Sequence, residues 1–101
     1  NKDNKFITSE ITRNSLLVNL NDEIPYSIRV DNLKFKTLRN KNLIIHQDLI
    51  INNLKYKKII LGKNGKMIKK IREFSQKKIS EFFNKQVHLY LKIKVINESK
   101  R

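Results

Sequence analysis

The chain contains only two glycines, and both lie in one tetrapeptide, Gly62-Lys63-Asn64-Gly65. Glycine reaches backbone conformations that other residues resist, so a pair three positions apart between two apolar helical stretches marks a place where the main chain turns tightly or approaches something closely. A turn joining two helices leaves the first N–H groups of the second helix free, and with the helix dipole these attract a phosphate. Lys63 and Lys66 add positive charge at that point, and Ile59, Ile60, Leu61 and Ile68 supply apolar surface for unstacked bases. The combination suits single-stranded RNA better than a duplex, whose bases are already stacked. Taken alone, the tetrapeptide also reads as a plain helix–turn–helix connection, because glycine is common just past a helix end. The flanking lysines and the element order favour the phosphate-binding reading.

Lys69, Lys70, Lys77 and Lys78 fall on the second of these helices, where a charge run is ordinarily a solvated face. Only proximity to phosphate turns such charge into affinity, which favours Lys69 and Lys70 over Lys77 and Lys78. The expected RNA-contacting set is therefore Ile60, Leu61, Gly62, Lys63, Asn64, Gly65, Lys66, Ile68, Lys69 and Lys70. His46 and His88, the only histidines, have no second histidine or carboxylate at metal-ligand spacing, so neither a metal site nor a cofactor is expected. No Ser, His and Asp arrangement and no carboxylate pair supports catalysis. Tyr26, Phe74, Phe82 and Phe83 read as structural, whereas Tyr90 falls on a wet strand face beside Lys92 and Lys94 and is placed to touch RNA or an adjoining domain.

The elements that position these residues follow from periodicity. Ser9 is suited to cap a helix with Ile11, Leu16, Leu17 and Leu20 on its apolar side, ending near Asn21-Asp22. Pro25 then opens a strand in which Tyr26, Ile28 and Val30 alternate with polar residues, and a bulge near Asp31-Asn32 explains why Leu33 and Phe35 are out of phase. After a polar turn at Leu38 to Asn42 comes a second strand, Leu43 to Ile51, with Leu43, Ile45, Leu49 and Ile51 on one face. Tyr56 to Leu61 fits a short helix, and Met67 to Phe83 a long one with Ile68, Ile71, Ser75, Ile79 and Phe82 on its buried stripe. Val87, Leu89, Leu91, Ile93 and Val95 alternate with His88, Tyr90, Lys92 and Lys94 in a final strand. Helix, strand, strand, helix, helix, strand describes an α+β domain with helices on one face of a three-stranded sheet.

The 101 residues fit one domain, with residues 1–8 and 97–101 expected as flexible ends. Twenty-three Lys and Arg against nine Asp and Glu give a net charge of +14, which implies a polyanionic partner. Charge alone leaves nucleic acid, an acidic membrane surface and an acidic protein open. No Lys-rich amphipathic helix stands at a terminus, so membrane contact is expected to be peripheral at most. The absence of cysteine excludes disulfides and thiolate chemistry. No apolar run is long enough to span a bilayer, so a soluble chain is expected, and the missing initiator Met predicts a fragment.

Several stretches together resemble the type II KH domains, and among them the C-terminal KH domain of the Era-type GTPases of small-subunit ribosome assembly. They are the helix Glu10 to Leu20 leading into Glu23-Ile24-Pro25-Tyr26-Ser27-Ile28, the run Tyr56-Lys57-Lys58-Ile59-Ile60-Leu61-Gly62-Lys63-Asn64-Gly65, Ile68-Lys69, and Phe83 through Val87-His88-Leu89 to Lys94-Val95. The resemblance implies a mixed sheet with the first strand in the middle and the last strand parallel to it. It implies single-stranded RNA as partner, at the 3′ end of small-subunit ribosomal RNA, together with the small subunit itself and an N-terminal GTPase domain in the parent protein. Gly62 to Lys66 lacks the glycine spacing of a P-loop, so this segment is expected neither to bind nor to hydrolyse GTP. The setting implied is bacterial cytoplasm, or the interior of a mitochondrion or plastid-type organelle. The chain departs from the family pattern where Leu91-Lys92-Ile93 stands in place of a Trp-containing stretch, at Asn32, and at Ile51-Asn52-Asn53. The alternative is a basic protein-interaction module docking on acidic ribosomal or GTPase-domain surfaces.

Overall fold

In the computed structural model, which describes residues 3–96, eight segments follow one another. They are helix α1 (Asp3–Asn19), a 3-10 turn (Ile24–Ser27), strands β1 (Arg29–Thr37) and β2 (Leu43–Ile51), helix α2 (Leu54–Leu61), a second 3-10 turn (Lys63–Gly65), helix α3 (Lys66–Phe83) and strand β3 (Val87–Val95). The α+β order read from periodicity is the one observed, and β2 and β3 have the expected bounds.

The sheet order is β1-β2-β3, with β1 antiparallel and β3 parallel to β2. This corrects the expectation that the first strand lies in the middle; β2 does. The residues explain why. β2 is buried at seven of its nine positions, as a central strand must be, whereas β1 carries Arg29, Asp31, Lys34 and Lys36, charges that suit a sheet edge. The α2–α3 crossover returns the chain in parallel on the other side of β2.

Four local expectations change. Helix α1 already begins at Asp3, so Ser9 lies inside it and residues 3–8, expected as part of a flexible end, are helical; residues 1–2 and 97–101 lie outside the described residues. Pro25 sits not in a strand but in the 3-10 turn, where Tyr26 N donates to Glu23 O (3.0 Å), and β1 starts only at Arg29. Phe82 is 59% exposed and off the buried stripe of α3, which runs through Ile71, Ser75 and Ile79; Phe83 packs inward instead, its ring 5.4 Å from that of Phe35. Tyr26, also expected to be structural, is exposed.

The β1 bulge is present, between Asn32 and Lys34. The extra residue, Leu33, is exposed, and the insertion keeps Val30, Asn32 and Phe35 on the helix side while Arg29, Asp31, Lys34 and Lys36 take the other.

Two apolar clusters form the core: Leu16, Leu20, Ile28, Leu49, Ile51, Ile60 and Ile71 in one, Leu43, Ile45, Ile79, Val87 and Leu89 in the other. Beside the apolar contact of Leu16 and Leu20 with Leu49 and Ile51, part of the contact between α1 and the sheet is polar. Thr8, Thr12 and Ser15 are fully buried on α1, beside Leu16. Thr12 Oγ1 donates to Gln47 Oε1 (2.6 Å), Gln47 Nε2 donates to Asn32 Oδ1 (2.8 Å), and Thr8 Oγ1 lies 2.6 Å from the same oxygen. Asn32, a departure from the family pattern, is thus a junction of this network, and its amide also reaches Lys34 O across the bulge (3.2 Å). Buried hydroxyls and amides are tolerated because each has a partner.

Candidate nucleic-acid interface

Asn53 starts α2, its Oδ1 accepting from Lys55 N at 2.9 Å, and the helix stops at Gly62, whose N–H donates to Lys58 O at 2.9 Å. Gly62 has φ +73° and ψ 175°, a region that essentially only glycine occupies. A Cβ there would stand 2.6 Å from Met67 Cβ and 2.7 Å from Met67 N. The backbone of α2's end and the first turn of α3 therefore touch through the missing side chain. Lys63-Asn64-Gly65 forms one tight turn closed by Gly65 N–H donating to Gly62 O (3.1 Å). Asn64 (φ +56°) and Gly65 (φ +74°) are both left-handed, a conformation asparagine tolerates better than most residues.

The two glycines are thus required for different reasons. A Cβ on Gly65 meets open space, so Gly65→Ala costs only the left-handed penalty of about 1–2 kcal/mol. Gly62→Ala adds a backbone clash and is expected to cost about 3 kcal/mol or more. Urea denaturation of the two variants checks this ordering; equal losses would contradict it.

Helix α3 begins at Gly65 with no side-chain cap and no acidic residue in its first turn. Lys66 N–H donates back to Lys63 O, and the N–H groups that follow it in the first turn are left to solvent or to a ligand. Lys63, Asn64, Lys66, Lys69 and Lys70 are all exposed, and among the described residues none of these four lysines is held in an ion pair. Further along α3 the cations are engaged. Lys77 pairs with Glu81 (3.9 Å), Arg72 with Glu73 (3.9 Å), and Lys78 lies 5.7 Å from the Phe74 ring centroid. The structure thus brings together the loop and the first turns of α3 as one uncompensated positive end.

Ile60 does not belong to that surface. It is 0% exposed, inside the core cluster with Leu49, Ile51 and Ile71, because neighbours on a helix point about 100° apart and only one of Ile59 and Ile60 can face outward. Ile59, 45% exposed, is the one that does. Leu61 and Ile68 are half-buried as a contact surface requires. Sequence reasoning missed the sheet's share of the site. Among the described residues β3 pairs with β2 alone. On its other edge the Leu89 N–H is taken by Gln76 Oε1 and the rest carries no strand, and the half-buried Leu91 and Ile93 pack on the same core cluster as Met67 and Ile68. Apolar side chains with one open flank therefore lie on both α3 and the edge strand. Among the described residues no group of three or more His, Cys, Asp and Glu side chains could hold a metal ion.

Comparisons with known proteins agree with this geometry. The family model described as KH domain matches residues 23–100. GTPase Era of Rickettsia prowazekii (strain Madrid E) is 45% identical over 91 residues, covering 90% of this chain and 31% of the relative. GTPase Era of Buchnera aphidicola subsp. Baizongia pistaciae is 41% identical over 100 residues, covering 99% and 34%. Among solved structures, an Era variant from Aquifex aeolicus bound to GDP.AlF4- superposes with a TM-score of 0.86 at 26% identity, covering 93% of this chain and 32% of that one. Era in complex with MgGDPNP and nucleotides 1506–1542 of 16S ribosomal RNA gives the same values. The chain spans about a third of the length of these relatives.

Proposed function

Because this chain belongs to the KH domain family, we propose that it holds single-stranded RNA as the RNA anchor of an Era-type GTPase in small-subunit assembly. The observation that carries the reading is the uncapped start of α3 at Gly65, facing an exposed loop whose lysines have no acidic partner among the described residues. Backbone N–H groups and Lys63 receive phosphates there, and Lys66, Lys69 and Lys70 extend the positive track along α3. Leu61, Ile68 and the half-buried residues of β3 give unstacked bases an apolar floor. A duplex keeps its bases stacked and cannot use that floor.

The target we assign is the 3′ end of small-subunit ribosomal RNA, supported by the Era neighbour that holds nucleotides 1506–1542 of 16S ribosomal RNA. The GTPase activity belongs to a domain outside this segment, and the setting is wherever small subunits are assembled, in bacterial cytoplasm or an organelle interior.

Fluorescence anisotropy at fixed salt tests both levels. The 3′-end segment is expected to bind roughly tenfold more tightly than its scrambled counterpart, and a blunt duplex of equal charge more weakly than either. Equal binding to segment and scramble would remove the specific target. Equal binding to the duplex as well would reduce the reading to diffuse attraction.

A further inference from the structure

The face of the sheet turned away from the helices is open, and the bulge in β1 decides what it displays. By register, Lys34 lies opposite His46 and His46 opposite Tyr90, so one row across all three strands reads Lys, His, Tyr. The His46 and Tyr90 rings sit 4.9 Å apart, tilted by 49°, and Tyr90 is 54% exposed. Lys92 and Lys94 follow on the same side of β3, exposed and about 7 Å apart, near the length of one extended nucleotide. Two acids share this face, and among the described residues neither is ion-paired with Lys34, Lys92 or Lys94. Asp48 nevertheless stands opposite Lys92 by register, which leaves Lys94 as the cation with no acid across from it. Asp31 is 3.3 Å from Arg29, and Asp48 is only 9% exposed.

An aromatic platform bracketed by lysines held in no ion pair among the described residues, on an open sheet, has the chemistry of a single-strand reader: a ring face for an unstacked base, and cations at nucleotide spacing for the flanking phosphates. We propose that this face is a second RNA contact, where a single strand continuing from the loop passes round the outer edge of β3, stacks a base on Tyr90 and His46, and sets its phosphates against Lys92 and Lys94. Only the origin of the strand rests on the loop reading; the contact itself stands on the sheet. The edge makes the path short, because alternate residues of the same strand face the two sides: Leu91 and Ile93 beside α3, Tyr90, Lys92 and Lys94 on the open face. The competing role for His46 and Tyr90 is a cross-strand pair that only steadies the sheet.

The test uses a tetranucleotide, which the loop alone accommodates, and a twelve-nucleotide single strand that contains it. Tyr90→Ala with Lys92→Gln and Lys94→Gln is expected to lower affinity for the long strand at least about tenfold, leave the short one unchanged, and flatten the salt dependence for the long strand. Tyr90→Phe retains binding, since a ring and not the hydroxyl is needed. Unchanged binding of the long strand by the triple variant overturns the proposal. So does a Tyr90→Phe loss equal to that of Tyr90→Ala, or displacement of the long strand by polyglutamate or by a hairpin duplex as readily as by itself. Failure of the loop reading is visible separately. A loop variant that binds the tetranucleotide like the parent removes the loop and leaves the sheet result standing.

Discussion

With Lys63 and Asn64 both replaced by Asp, RNA binding is expected to fall at least about a hundredfold while the domain melts as the parent does. The two residues are exposed and contribute nothing to either core cluster, so stability should move by roughly half a kcal/mol. Asp tolerates the left-handed backbone at position 64 much as Asn does, and a carboxylate beside the start of α3 favours the helix if anything. Binding changes far more. Two negative charges would stand where we propose that the start of α3 and Lys63 receive phosphate, replacing attraction by repulsion worth about 1–4 kcal/mol per close pair. Arg39→Asp with Lys41→Asn, in the exposed turn between β1 and β2, lowers the net charge equally and controls for the field of the whole domain. If both double variants lose affinity alike, the loop is not the clamp. Electrophoretic mobility or anisotropy titrations paired with thermal melts decide it.

Leu89→Asp is expected to abolish cooperative folding. Leu89 is 2% exposed, surrounded by Leu43, Ile45, Ile79 and Val87, and its N–H already donates to Gln76 Oε1 at 2.9 Å. A carboxylate there has no counterion in the apolar cluster, and burying it costs several kcal/mol against a total stability of about 5–15 kcal/mol for a domain of ordinary stability. Leu89→Ala, which only leaves a cavity, should cost about 2–5 kcal/mol and leave a measurable, lowered melt. Ile93→Asp, equivalent to Leu89→Asp by strand phase alone, is milder because Ile93 is only half-buried at the free end of β3. His88→Ala should stay within about half a kcal/mol. Circular dichroism reports all four, and a Leu89→Asp melt close to the parent's would mean the sheet face has been misassigned.

Much of this molecule was legible because its strands alternate cleanly and its glycines are so few. Leu43–Ile51 and Val87–Val95 are strands at the expected bounds, and the interruption of β1 was visible as a broken phase between Val30 and Phe35. What misled was local chemistry with two meanings. Pro25 fits a strand start and a 3-10 turn equally well, and Ser9 is as acceptable inside a helix as at its cap. The stripe Thr8, Thr12, Ser15 has helical spacing and could have revealed the buried face of α1, but hydroxyls are counted as surface until partners such as Gln47 and Asn32 are known.

Element order, the single loop where the backbone must take glycine conformations and the large excess of positive charge can all be read along the chain, since these depend on neighbours in sequence and on composition. Which strand is central, that Ile59 rather than Ile60 faces outward beside the loop, and that Lys34, His46 and Tyr90 share one row come from the packing of the fold. Each of those depends on groups distant in sequence. Burial of Ile60 requires Leu49 and Ile71 to close over it, and the row across the sheet exists only because one bulged residue resets the register of β1 against β2.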